Sequence, residues 1–420
     1  MATTLYGYAF LDDFVLLYPV YALLFRDSGL SVGQISALFA IWSGSSLLFE
    51  VPSGVLADAG SRRRLLWTGP LLSGLGFTLW VAAPSFWAFA LGFLLWGVKG
   101  ALTSGALEAL VYTELDRAGA AGRYARILGR ARAFGTVGVV SSMALAAPVL
   151  DRGGYPAVGA ASVAACLLTA AAAATFPEHR GAAPAPDGPA VAGPAAPGDA
   201  AAGSGVDGAG SGVEADAAGP GWRATLRTGL GAAGRQRAVR SALVFVVLVT
   251  AGWGVLDEYT PLLVVETGVA AATVPLLLLV VWAAVALGGL CAGPAARSGP
   301  RPLAALLALA AAVLAAGALS RRPAGIVLVA VAFGILQVLE VVAGARLQER
   351  VSEPARATVT SVAGMVTDLA TLAGYAGYAG LATVAGHGGA FAVLAVPYAV
   401  VACWLLARAA QRGSGARPAR

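Results

Sequence analysis

Apolar runs of 17 to 25 residues recur along almost the whole chain. Each is long enough to cross a hydrocarbon layer of about 30 Å as a helix. A helix is the form such a run takes in lipid, because it satisfies its own backbone hydrogen bonds. The ~10-residue alternating segments of an outer-membrane barrel are missing from the pattern. Only 12% of the 420 residues are charged and 58% are hydrophobic, whereas soluble domains carry roughly a quarter charged residues. A chain this poor in charge cannot face water on all sides, so its solvent is lipid.

The runs fall at about 4–25, 33–56, 65–83, 86–112, 133–150 and 156–176, then at 241–265, 273–295, 303–319, 326–345, 359–385 and 389–408. We number them spans one to twelve. The predicted division is a six-helix bundle over 1–176, a linker over 177–240, a second bundle over 241–408 and a tail over 409–420. Orientation follows from the basic residues flanking the spans. With the N-terminus inside, twenty-three arginines lie on the cytoplasmic side, and Arg26, Arg152, Arg321 and Arg322 lie outside. Both termini are therefore expected in the cytoplasm. A cleaved signal peptide is not expected, since the first apolar run has no basic stretch before it and contains Asp12 and Asp13.

The pI of about 9.5 does not point to nucleic acid, because the arginines sit at span ends rather than on one soluble face. Cys166, Cys291 and Cys403 are widely separated within spans, which gives neither metal-ligand spacing nor a disulfide framework. The Ala-, Gly- and Pro-rich stretch 178–221 buries too little apolar area to order itself. Residues 222–240, WRATLRTGLGAAGRQRAVR, read either as a basic amphipathic helix on the inner membrane surface or as a plain positive-inside flank.

The two halves align at a constant offset of 239. Asp27-Ser28-Gly29 matches Glu266-Thr267-Gly268, Gly54 matches Gly293, Gly60 matches Gly299 and Arg62 matches Arg301. Pro84 matches Pro323, and Gly105-Ala106 matches Gly344-Ala345. A parallel repeat of six helices is a transporter architecture, with a site near the bilayer midplane between the halves.

EVPSGVLADAGSRRR (50–64), between spans two and three, resembles the loop signature of the major facilitator superfamily. Gly54, Asp58, Arg62 and Arg63 occupy matching positions, whereas Ala59 and Ser61 depart from the pattern. SGALEALVY (104–112) and RATVTS (356–361) are similar to segments of bacterial members. The resemblance covers the chain outside the linker. It implies two pseudo-symmetric six-helix bundles in a bacterial inner membrane. It also implies a loop that locks the outward-open state by charge pairing with neighbouring helices, with Asp58 in that role and Glu50, Gly54, Arg62 and Arg63 around it. Topogenic charge is the other reading of Arg62–Arg64. The span-four pattern of proton-coupled members is not matched by Lys99, and Gly135 and Gly138 lack the proline of the antiporter signature.

A charge at a helix centre costs about 2.5–3.5 kcal/mol, so intramembrane charges are functional candidates. They are Asp12 and Asp13 in span one, Glu50 in span two, Lys99 and Glu108 in span four, Asp257 and Glu258 in span seven, Glu340 in span ten and Asp368 in span eleven. The resemblance implies that spans one, four, seven and ten line the central cavity. That selects Asp12, Asp13, Lys99, Glu108, Asp257, Glu258 and Glu340 as substrate- or proton-binding candidates. Pairing with Lys99 or a helix-end arginine is the alternative for each acid. The excess of acids favours cationic or zwitterionic substrates. The expectation is a monomeric secondary transporter without enzymatic activity, cofactor or metal, which exports a hydrophobic cationic or zwitterionic molecule against protons. Proton-coupled uptake of a sugar, amino acid or other nutrient is one alternative. A transporter-derived receptor or assembly partner is another.

Overall fold

The computed structural model describes residues 2–103, 105–177, 237–351 and 356–414, without the side chains of 50–59, 238, 356–358 and 408–414. The linker, its basic segment up to 236 and the end of the tail lie outside the described residues. All regular elements among the described residues are helices. They are α1 Ala2–Asp13, α2 Tyr21–Asp27, α3 Val32–Ala59, α4 Arg62–Ala82, α5 Phe86–Thr103, α6 Ala106–Arg117 and α7 Tyr124–Ala174. After the linker come α8 Arg237–Glu266, α9 Val274–Ala296, α10 Pro300–Leu319, α11 Gly325–Arg350 and α12 Arg356–Ser414.

These helices make twelve membrane crossings. A straight 51-residue α7 would be about 77 Å long at 1.5 Å per residue, more than twice the hydrocarbon thickness. It breaks at Gly154, whose φ of 61° admits glycine readily and other residues poorly. The 59-residue α12 breaks in the same way at Gly386, φ 71°. Each of these two helices therefore crosses twice, where the apolar pattern has spans five and six and spans eleven and twelve.

Spans one and four are each built from two shorter helices. Pro19 has no N–H to continue the helix, and the chain over 14–20 makes turns instead, with Tyr18 N bonding Val15 O and Val20 N bonding Leu17 O. Leu17 N donates to Ser162 Oγ at 3.0 Å rather than back along its own helix. Irregular backbone at this depth is tolerated only where protein satisfies it, and Ser162 supplies that partner. Span four breaks at Gly105, φ 71°. Its repeat counterpart Gly344 lies inside the continuous α11.

Packing repeats between the halves. In the first, α1 packs on α7, α4 on α7, α3 on α5 and α4 on α5. In the second, α8 packs on α12, α10 on α12, α9 on α11 and α10 on α11. Gly29 and Gly268, matched by the 239-residue offset, share a φ of 87°. The halves meet where α3 contacts α12 and α7 contacts α9, again a symmetric pair, and where α2 contacts α8. Outward faces carry bare apolar side chains, with Leu290 79% and Val384 90% exposed. Patches of this kind are tolerated where lipid covers them.

Close helix approach depends on glycine at particular points. A Cβ on Gly138 in α7 would run into the Phe10 carbonyl of α1, and one on Gly288 into the Gly334 carbonyl across α9 and α11. Small residues let membrane helices pack by dispersion where no hydrophobic drive exists between them.

Candidate functional site

Ser61 begins the arginine-rich end of the molecule by capping α4, its Oγ accepting from Arg64 N at 3.1 Å. Three arginines in that first turn oppose the helix dipole, so their placement serves contacts other than helix stability. Arg62 Nη1 donates to Thr113 Oγ1 at 3.0 Å and to the Ala109 carbonyl at 3.3 Å, tying α4 to α6. Arg63 Nη1 reaches the Phe176 carbonyl at 3.4 Å. The side chains of Glu50 and Asp58, and the surroundings of Gly54, lie outside the described residues.

The opposite end is sealed between the halves by aromatic residues and hydroxyls. Tyr21 of α2 donates to the Glu258 carboxylate of α8. Ser36 and Tyr259 hydroxyls lie 2.6 Å apart, bridging α3 and α8. Tyr259 stacks on Tyr378 with ring centroids 3.6 Å apart, and Phe39 packs edge-on against Tyr259. Tyr375 of α12 lies beside Ser43 of α3. Tyr259, Tyr378 and Phe39 are fully buried. His387 lies beyond this seal and is partly buried, with Nδ1 2.7 Å from the Tyr378 hydroxyl. Glu266, the repeat partner of Asp27, accepts from Gly388 N at 2.8 Å.

A cavity of about 340 Å³ lies beneath the seal, lined by Trp42, Ser43, Ser46 and Leu47 of α3, Gly100 and Ala101 of α5, and Asp368 of α12. Trp42 is ten residues into α3 and Asp368 twelve into α12, or about 15–18 Å along each helix. The cavity is therefore at mid-depth, and both halves contribute to it. Trp42 is held by Trp96, with ring centroids 5.1 Å apart, and Trp96 stacks on Tyr18 at 5.0 Å.

Next to Gly100 along α5 stands Lys99, whose Nζ lies 2.8 Å from Asp12 Oδ2 at the end of α1. The side chains are 12% and 24% exposed, so the pair is mostly removed from solvent. Its neighbour Asp13 points elsewhere, over Gly135 of α7, where an added Cβ would meet the carboxylate. Asp13 has no hydrogen bond or ion pair among the described residues. One base thus faces two acids, and the base belongs to Asp12.

The remaining candidates divide. Asp257 and Glu258 are adjacent on α8, with Glu258 held by Tyr21 and Asp257 without a hydrogen bond or ion pair among the described residues. Glu340 of α11 lies beside Thr250 of α8 within the second half. The buried Tyr398 hydroxyl, without a hydrogen-bond partner among the described residues, lies against Gly252 of α8. Glu108 stands apart. Helix α6 restarts after Gly105, which puts Glu108 in its first turn, half-exposed and 3.1 Å from Arg132 Nη2.

Several residues of this arrangement escaped the sequence reading. Asp368 was visible as an intramembrane charge, but span eleven was not among the cavity-lining spans. Ser36, Ser43, Tyr259 and Tyr375 carry no charge, and no local signal pairs residues more than 200 positions apart.

The family model of the Major Facilitator Superfamily matches residues 3–374. Among solved structures, the nucleoside transporter NupG superimposes with a TM-score of 0.72 at 13% identity, covering 97% of this chain and 98% of that one. A bacterial homolog of the human lysosomal transporter Spinster, in an inward-facing and unoccupied conformation, superimposes with a TM-score of 0.66 at 14% identity, covering 96% and 94%. No curated protein matches the sequence.

Proposed function

The chain belongs to the major facilitator superfamily, and on that footing we propose that it exchanges protons for a hydrophobic cationic or zwitterionic small molecule, moving the molecule out of the cell. The observation that carries this reading is a mid-depth cavity formed by both halves beneath a sealed end, with the carboxylate of Asp368 in its wall. The arginine-rich end is the cytoplasmic one by the positive-inside rule. The conformation described is then closed to the outside, and loading from the cytoplasm is the step it is ready for.

The chemistry assigned to each group follows from its surroundings. Asp13, without a hydrogen bond or ion pair among the described residues, is the proton carrier. Lys99 and Asp12 brace α5 against α1 beside the break in span one. Asp257 and Glu258 lie where α8 meets α2, and Glu340 serves the second half. A carboxylate in a partly dry cavity can take and release a proton near neutral pH. A cation entering the cavity competes electrostatically with that proton, which is the coupling an exchanger needs. Arg62 and Arg63 at the start of α4, with Asp58 at the end of α3, govern closure of the cytoplasmic end as helices move. The protein acts as a monomer in the inner membrane, with both termini in the cytoplasm.

The test is a proteoliposome assay with a pH dye trapped inside and lipophilic cations added outside. Exchange makes the interior alkaline as the cation enters. Acidification on entry means symport and replaces export by uptake. Protein-independent dye signals across the cation panel, with no flux of labelled cation, would sink the transport reading for this substrate class.

A further inference from the structure

We infer that His387 is an acid-responsive catch on the seal: its protonation releases Tyr378 and, through Tyr259 and Ser36, loosens the contact between the halves. The use of the catch rests on the proposed orientation, which turns this end outward, whereas its chemistry does not. His387 lies in the turn between spans eleven and twelve, one residue past the break at Gly386. The turn packs on Glu266 of α8, which accepts from Gly388 N at 2.8 Å and would meet a Cβ added at Gly386. On its other side the turn abuts the Ala318 carbonyl of α10.

A line of contacts runs from this ring into the first half. Nδ1 of His387 lies 2.7 Å from the Tyr378 hydroxyl, the one hydrogen bond of that buried phenol among the described residues. Tyr378 stacks on Tyr259 with ring planes 9° from parallel. The Tyr259 and Ser36 hydroxyls, 2.6 Å apart, complete the line into α3.

A neutral imidazole accepts the phenol's hydrogen at Nδ1 and keeps its own on Nε2. A protonated one carries a hydrogen on both nitrogens and can only donate. The Tyr378 O–H then loses its acceptor in a buried place, which is the costly way to break a hydrogen bond. The charged ring has a better partner in its own half. Glu266 has no ion pair among the described residues, whereas its repeat counterpart Asp27 is held by Arg26 and by the Tyr155 hydroxyl, each at 2.6 Å. Arg26 of α2 also bears on His387 and repels an imidazolium from the first half. Protonation therefore draws the ring toward Glu266 and away from Tyr378.

Burial holds the His387 imidazole below its ordinary value while the seal is closed, with Glu266 opposing that shift and Arg26 adding to it. Opening the seal hydrates the ring and frees it to pair with Glu266, so the open state binds the proton more tightly. The contribution of this contact to closure is complete above the ordinary histidine value of about 6.5 and is lost as pH falls below it.

The experiment uses the purified full chain in lipid nanodiscs, where both ends meet one buffer and orientation does not matter. Spin labels on Ala37→Cys and Ala270→Cys, exposed positions near the sealed end of each half, report the separation of the halves by double electron–electron resonance. Cys166, Cys291 and Cys403 are replaced in this background. Lowering the pH from about 8 to about 5 should raise the open-to-sealed ratio at least about five-fold, the effect of losing one buried hydrogen bond. His387→Gln, uncharged throughout, should stay sealed at the lower pH, and His387→Arg should be open already at the higher one. Acids elsewhere titrate in every variant, so the difference between His387 and its replacements is the measure. With His179→Gln leaving His387 as the one histidine, its imidazole resonance gives the ring's own titration, and the distance change should share its midpoint. Should His387→Arg fail to fold, Tyr378→Phe supplies the second test, since it keeps the stack, removes the hydroxyl and should abolish the response. No distance change in the parent, the same change in His387→Gln or Tyr378→Phe, or a midpoint more than about one unit from the imidazole titration overturns the catch. All these signatures without substrate flux in vesicles keep the catch and remove the transport reading.

Discussion

Lys99 Nζ lies 2.8 Å from Asp12 Oδ2, a contact that fastens the middle of span four to the last residues of α1 just before span one unwinds. Removing one partner of a mostly buried pair leaves an uncompensated charge and costs about 3 kcal/mol or more when burial is complete. The residual exposure here reduces that figure. Lys99→Ala should lower the melting temperature in detergent, and Asp12→Ala/Lys99→Ala should recover most of the loss. A double variant no more stable than Lys99→Ala alone would show that the ion pair is not what Lys99 contributes.

Asp12 and Asp13 are adjacent but differently employed, so their neutral variants should separate. Asp13→Asn is expected to abolish cation-driven proton movement in proteoliposomes while leaving folding and cation binding intact. Asp12→Asn is expected to lower stability first. Proton movement at the wild-type rate in well-folded Asp13→Asn removes Asp13 from the coupling mechanism.

The Tyr21–Glu258 and Ser36–Tyr259 contacts join the halves at the end opposite the arginines, the outer end in the proposed orientation. Tyr21→Phe and Tyr259→Phe each delete one cross-half hydrogen bond, worth about 1 kcal/mol, or roughly five-fold in a two-state equilibrium. A cysteine at Ser36, in a background where Cys166, Cys291 and Cys403 are replaced, should react faster with an impermeant maleimide applied outside intact cells when Tyr21 is Phe. Equal labelling rates would mean that these bonds do not set the closed state.

Gly138 and Gly44 provide a packing contrast. A Cβ at Gly138 meets the Phe10 carbonyl, while one at Gly44 meets nothing within 4 Å. Gly138→Ala should destabilise by about 1–3 kcal/mol through overpacking. Gly44→Ala should be neutral or stabilise by up to about 1 kcal/mol through helix propensity. Melting temperatures of the two purified variants decide it, and the opposite order would overturn the packing account.

The repeat was legible because it is written in loop residues. Gly29 and Gly268 must both adopt a positive φ, and the chain declares that need twice at the same offset. The spans were legible because lipid imposes apolar length. The breaks were harder to see: Gly105 and Gly344 look equivalent in sequence, yet only Gly105 interrupts its helix. That break explains Glu108, whose apparent depth assumed an unbroken span four. Pro19 signalled the irregular stretch in span one, but the bond that stabilises it comes from Ser162, far along the chain. Asp368 was seen as a charge and left out of the cavity, since the cavity is asymmetric and the spans chosen for it were symmetric. The seal is the least readable feature, being composed of ordinary tyrosines and serines whose meaning appears only when the halves touch.

Broken spans one and four belong to the first half, whereas their counterparts α8 and α11 run without interruption. Two bodies of the same ancestry therefore differ in compliance. A stiff frame on one side lets strain collect in the jointed helices of the other, next to the lysine and aspartates. In the proposed proton-coupled cycle, bending would be concentrated there, and proton uptake by Asp13 beside those joints would act directly on the part of the protein that yields.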